Sequence, residues 1–221
     1  MKMLCAPRWL PRPLAAAATL VLIAGTGCAA ATAGSGSRDA TPSALPPVVR
    51  LPYSAADVHF MSGMIPHHAQ AVVIAGWAPS HGARSDVRIL AERIVVAQRD
   101  EIALMQTWLR ERGEPVPAAD ATHLRMTMNG MEHDMLMPGM LSADELARLD
   151  RARGSEFDRL FLTYMIRHHE GAITMVDQLF ASHGAAQDED VFRFASDVYA
   201  DQTTEVDRML TMLASVASDS R

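Results

Sequence analysis

The sequence predicts an all-α fold, a four-helix bundle built from two repeated αα-hairpins, and three observations carry that expectation. Apolar residues beyond position 53 recur at helical spacing nearly throughout. β signals are weak, with few β-branched runs, so the folded part is read as helical and no strands are expected. The second half then restates the first: Phe60, Met64, His67 and His68 match Phe161, Met165, His168 and His169 at an offset of 101 residues. Ser80-His81-Gly82 matches Ser182-His183-Gly184 at 102, and Gln98-x-x-Glu101-x-x-x-Met105 matches Gln202-x-x-Glu205-x-x-x-Met209 at 104. Each unit is one hairpin, and stacking two of them buries faces that neither covers alone.

The elements follow in order. The first long helix is expected to open at Ser54 to Asp57, where Ser-x-x-Asp can cap, and to close before His81-Gly82, with Gly82 suited to a left-handed helix end. Ser85 opens a second helix running to about Glu111 and stopped by Gly113-Glu114-Pro115. Ser142-Ala143-Asp144-Glu145 is a capping box ahead of a short helix that closes at Gly154. Glu156 to His183, ended by Gly184, and Asp188 to about Val216 form the second long pair. Between the pairs, residues 114–141 form a connector carrying Met126, Met128, Met131, Met135, Met137 and Met140 beside His123, Glu132, His133 and Asp134. Asn129-Gly130 and Pro138-Gly139 break any regular helix there.

The bundle is expected to span residues 53–216. Ahead of it, residues 1–27 read as an export signal: Lys2, Arg8 and Arg12 precede an apolar stretch, Leu14 to Ala24, too short to stay in a bilayer as a permanent helix. The stretch ends in Gly25-Thr26-Gly27-Cys28, similar to a lipoprotein cleavage box, although Gly25 stands where such boxes usually have Leu. Two readings of Cys28 stand: the lipidated first residue of the mature chain, or a small apolar residue with cleavage just downstream. Residues 28–52 are Ala, Thr, Gly, Ser and Pro with hardly any large apolar side chain, a composition that cannot offset its ordering entropy and reads as a flexible tether.

Charge and cysteine use exclude several functions. The only cysteines are Cys5 and Cys28, so the folded part has neither disulfides nor thiolate ligands. Loss of residues 1–27 removes three positive charges and takes the formal net charge from −6 to −9, against a nucleic-acid partner. Gly-x-Ser-x-Gly and Gly-rich phosphate loops are absent, so no catalytic motif points to an enzyme.

The repeated segments carry the chemistry. Each helical residue advances about 100°, so His168 and His169 straddle Met165, and Met175 falls near the His168 edge. Met165, His168, His169 and Met175 are therefore expected to form one patch; Met64, His67 and His68 form its counterpart, with Ile74 in place of the second methionine. If the patches face each other across a pseudo-two-fold axis, four imidazoles and three thioethers converge. Imidazole suits copper, zinc, iron and nickel, whereas thioether selects Cu(I), so the mixture without cysteine points to copper. Met126, Met128, Met131, His133, Met135, Met137 and Met140 are secondary candidates, read either as a flexible soft-metal collector or as cover for the bundle's apolar end. Pro66 lacks a backbone donor and crowds the Ser62 carbonyl, predicting a kink beside the first His pair. His81 and His183 read as helix-end residues, and His59 as solvated.

The same residues carry a family resemblance. Phe60 through Ala71, Phe157 through Met175, Met137-Pro138-Gly139-Met140-Leu141 and the helix with Gln98, Glu101 and Trp108 resemble the DUF305 family of exported bacterial proteins across residues 53–215. The resemblance implies a ferritin-like four-helix bundle without established enzymatic activity, with copper binding in some relatives. Carried over by position, it implies Met64, His67, His68, Met165, His168, His169 and Met175 as ligands. The expected role is an exported, membrane-anchored copper protein for buffering, tolerance or delivery, with other copper-handling proteins as partners. Two alternatives stand: a ferritin-like redox protein with a di-metal carboxylate centre, although the chain has no Glu-x-x-His, and a metal-free module whose histidines sense pH.

Overall fold

The computed structural model describes residues 52–219, apart from 129 and 130. The chain divides into Met1–Pro46 and Pro47–Arg221, and the described residues belong to the second unit. The expected export signal, the lipidation site Cys28 and the tether lie outside the described residues.

Five helices form: α1 (Ala55–Gly76), α2 (Ser85–Glu111), α3 (Ala143–Arg151), α4 (Ser155–Ala181) and α5 (Glu189–Asp219). Helix α1 packs along α2, α4 along α5, and the hairpins meet through α1 and α4, with α3 laid across both. The starts follow the sequence signals. Ser54 and Asp57 form a reciprocal capping box, as do Ser142 and Glu145. Gly82 and Gly184 close the turns of the two hairpins at φ +70° and +76°, where a side chain would be strained. Pro66 sits inside α1, and the helix runs on through it to Gly76.

The repeat is also visible in how the hairpins hold one another. Asp57, at the start of α1, accepts the Ala186 N–H from the α4–α5 turn at 2.7 Å. Its repeat mate Asp158, at the start of α4, accepts the Arg84 N–H from the α1–α2 turn at 3.2 Å. Both aspartates are fully buried, so each turn ends on a carboxylate of the other hairpin.

One expectation is corrected. The connector contains an antiparallel pair of strands, β1 (Leu124–Met128) and β2 (Met131–Met135), in which Met128 faces Met131 and Met126 faces His133. That register leaves two residues, Asn129 and Gly130, between the strands. The segment is thus a strand pair and not simply an interruption, and an Asn-Gly dipeptide between two such strands is a sequence signal for a hairpin. The bundle itself remains all-α.

Beyond the hairpin the connector is pinned to the bundle. Gln70 donates to the Leu141 carbonyl at 3.0 Å and accepts from its N–H at 2.6 Å. Gly171, the repeat mate of Gln70, lets the chain pass: a Cβ there would collide with the Pro138 carbonyl and Gly139. Arg167 grips Glu145 with its two terminal guanidinium nitrogens and ties α3 to α4.

The core has two apolar clusters. One gathers Phe60, Met61 and Met64 with Ile102 to Leu109, Ala172 to Leu179 and Val191 to Val198. The other gathers Ile74 with Val87 to Ile94, Phe157 to Ile166, Met209 and Val216. In α2, α4 and α5 the clusters are separated by polar residues: Gln98 and Glu101, His168 and His169, Gln202 and Glu205. A polar layer thus crosses the middle of the bundle.

Candidate metal centre

Helices α1 and α4 supply the centre of that layer. Met64, His67, His68, Met165, His168 and His169 are all fully buried. His67 and His168 meet where the two helices touch, their rings 3.8 Å apart between centroids and tilted by 39°. Neighbouring helical residues diverge by about 100°, so the second histidine of each pair turns away toward its own hairpin partner. His68 Nε2 lies 2.7 Å from Glu101 Oε2 of α2, and His169 Nε2 lies 2.8 Å from Glu205 Oε2 of α5. The sequence expectation of four imidazoles converging on one point is therefore corrected to one close, tilted pair with one imidazole–carboxylate pair on each side. Among the described residues no three His, Asp, Glu or Cys groups form a closed metal cage.

The partners fix which nitrogen is free. His67 Nε2 is 3.0 Å from the Pro138 carbonyl, which can only accept, so Nε2 carries the proton and Nδ1 the lone pair. His169 Nε2 faces the Glu205 carboxylate with the same result. Among the described residues the Nδ1 atoms of His67, His68 and His169 have no hydrogen-bond partner, nor has either ring nitrogen of His168, and His68 Nε2 has only its ion-pair contact with Glu101. Both amide atoms of Gln98 and the carbonyl oxygen of Gln202 are unpartnered too. Burial, reinforced by the neighbouring His68, pushes His67 down to about 3 against the Pro138 hydrogen bond. Burial and then His67 hold His168 well below the ordinary imidazole range. These rings stay neutral at physiological pH, with lone pairs available to a cation.

The sulfur atoms divide differently from the sequence expectation. Met64 and Met175 belong to the first apolar cluster, Met165 and Ile74 to the second. Ten residues separate Met165 from Met175, about 15 Å along a helix, so the expected single patch of Met165, His168, His169 and Met175 splits across the polar layer. The first cluster buries six methionines, Met61, Met64, Met105, Met137, Met140 and Met175, and the second only Met165 and Met209. Of the secondary candidates, Met137 and Met140 are buried at that sulfur-rich end, and Met135 is exposed. Met126, Met128, Met131 and His133 are placed by backbone on the hairpin strands, their side chains lying outside the described residues. His81 is buried against the Asp150 carbonyl, while His59 and His183 are exposed, in keeping with their sequence readings.

Sequence reasoning found Gln98, Glu101, Gln202 and Glu205 as a repeat, with the glutamates able to face the core, but gave them no part in the site. Their signal was the repeated Gln-x-x-Glu-x-x-x-Met, whose glutamates share a face with the glutamines one turn earlier. Outside the pairs, Asp201 is raised from its ordinary value by partial burial and then by the nearby Glu101, Glu205 and Asp197.

Fold and centre together define a helical bundle of two hairpins joined through a buried Met/His layer. The chain belongs to the DUF305 family, described as a domain of unknown function, whose model matches residues 57–213. It is similar to a DUF305 protein from Streptomyces coelicolor, at 27% identity over 73% of this chain and 94% of that one, with a TM-score of 0.60. A DUF305 fragment from Deinococcus radiodurans matches at 27% identity over 74% and 99%, also with a TM-score of 0.60. CopM in its Cu(I)-bound form matches at 26% identity over 72% and 96%, with a TM-score of 0.54, and its structures include Cu(II)-bound and Ag-bound forms. A mimivirus protein is 34% identical over 56 residues, and the chain spans about a third of that curated relative, 37% of its length.

Proposed function

We propose that this chain is an exported copper-binding protein that holds the metal at the α1–α4 contact through His67 and His168, with Met64, Met165, His68 and His169 as further donors around that contact and Met175 as a donor farther along, at the sulfur-rich end. One observation carries the reading: among the described residues, five imidazole nitrogens in a fully buried layer have neither a hydrogen-bond nor an ion-pair partner. Each such atom costs about 1–3 kcal/mol in a metal-free interior, and a coordinated cation removes that cost. Neutral imidazole and thioether release no proton on binding, and the pairing of borderline nitrogen with soft sulfur favours copper over hard cations. Copper and silver in CopM support the same chemistry here. Glu101 and Glu205 act through the imidazoles, holding His68 and His169 with Nδ1 free, as carboxylates behind metal-bound histidines do.

The role is buffering, tolerance or delivery of copper outside the cytoplasm, with other copper-handling proteins as partners and no catalysis. Residues 1–27 direct export, Cys28 carries the lipid anchor, residues 28–52 tether the bundle, and the anchor is the sole attachment to the membrane. No helix among the described residues is long and apolar enough to cross one. The test is the metal content of protein purified from copper-supplemented cells, with zinc and iron as competitors, for wild type and for the variant with His67, His68, His168 and His169 all changed to Ala. Copper is expected in the first and largely absent from the second; equal copper in both would refute the site. The Glu101–His68 and Glu205–His169 pairs favour a second reading, a di-metal carboxylate centre, which iron or manganese retained in preference to copper would support.

A further inference from the structure

We infer that His59, Met137 and Met175 form a second, surface-accessible site for a soft monovalent cation, Cu(I) or Ag(I), at the sulfur-rich end of the bundle. This rests on the copper reading of the proposed function, shares Met175 with it, and adds His59 and Met137. A small opening of about 60 Å³ lies there, lined by His59 and Phe60 of α1, Met175, Gln178 and Leu179 of α4, and Met137 of the connector. Its soft donors are one imidazole and two thioethers, a neutral set suited to Cu(I) and Ag(I) and poor for hard divalent ions.

The two sulfur side chains lie together. Gly63 makes the space: a Cβ there would stand 2.7 Å from Met137 Cε, 3.4 Å from its sulfur and 3.5 Å from Met175 Cε. Both methionines therefore close over the same glycine. His59 is one helical turn before Gly63, and His67 one turn after, so the three share a stripe along α1. The connector follows that stripe, with Met137 over Gly63 and the Pro138 carbonyl on His67. The opening and the close His67–His168 pair are thus two ends of one track.

The internal repeat supplies a control. At the other end of the bundle, the positions matching His59, Gly63 and Met175 are Leu160, Tyr164 and Ile74. All three are buried in the second apolar cluster and none is a soft ligand. Packing alone is thus met there by aliphatic and aromatic side chains. An exposed imidazole, a missing side chain and two sulfurs at this end go beyond what filling a core requires.

The probe is Ag(I), added to the full chain carrying methionines labelled with carbon-13 at the methyl. The Met137 and Met175 methyl resonances are expected to shift on Ag(I) addition in wild type, and still to shift in H67A/H168A, where the buried pair is gone. Met137→Leu and Met175→Leu keep the core volume while deleting sulfur, and His59→Ala alters an exposed residue, so none of these depends on a change of fold. In each, Ag(I) loading monitored by stopped flow should slow at least tenfold, and in M137L and H59A the metal finally held by the buried layer should be unchanged. Unshifted Met137 and Met175 methyls in wild type, or loading of H59A and M137L at the wild-type rate, would overturn the site. Failure of the buried centre reads differently, as wild-type metal content in H67A/H168A.

Discussion

Changing His168 to Leu should stabilise the metal-free protein and abolish its response to metal. Among the described residues both ring nitrogens of His168 are buried without a well-formed hydrogen bond, so the substitution forfeits only a weak contact with the His67 backbone. Removing two unsatisfied atoms is worth about 1–3 kcal/mol each, offset by loss of the ring contact with His67, about 0.5–1.5 kcal/mol, and by imperfect repacking. A net gain of about 1–3 kcal/mol is expected, which in a domain of this size raises Tm by roughly 3–10 °C. Wild type at a free Ag(I) concentration a hundred times its Kd gains about 2.7 kcal/mol by mass action, and H168L should lose most of that. Thermal unfolding followed by circular dichroism, with chelator and then with Ag(I), measures both. If H168L melts below wild type in chelator and still rises with Ag(I), His168 is a structural residue and the reasoning from orphaned nitrogens fails.

Two further outcomes follow from the carboxylates. Glu101→Gln and Glu205→Gln should weaken copper binding by roughly 10–100-fold in chelator competition, since an amide no longer fixes the neighbouring imidazole as a carboxylate does; unchanged affinity would make the His–Glu contacts incidental. Glu145 is held down to about 2, first by the Arg167 hydrogen bond, so its stabilising effect is complete above its ordinary value of 4.5 and disappears as pH falls from there toward 2. Arg167 is 43% exposed, which screens the pair to at most about 1 kcal/mol. The stability gap between wild type and E145Q should close across that window, and a gap constant from pH 6 to 2.5 would contradict the assignment.

Most of the helical frame was legible because its signals are local. The Ser54 and Ser142 capping boxes, the glycines at 82 and 184 and the doubled Met-x-x-His-His motif each act within one turn of chain. The hairpin at Asn129-Gly130 escaped because a single short strand pair surrounded by helical sequence leaves little periodicity to read. The site was half legible. Repetition identified the histidines, but how each dyad divides depends on neighbours far along the chain: the Pro138 carbonyl, Glu101 and Glu205. The separation of Met165 from Met175 was within reach of helix geometry, since rise along the axis, not angle around it, decides whether residues ten apart can meet.

The histidine layer also governs assembly. Coiled coils use one buried polar side chain to reject shifted alignments of their strands, and the contact between α1 and α4 has the same property. Sliding one hairpin past the other by a single turn, about 5.4 Å, would strand two imidazoles among aliphatic neighbours and part His67 from His168. The stagger at which the halves dock is therefore set by solvation, before any ion arrives.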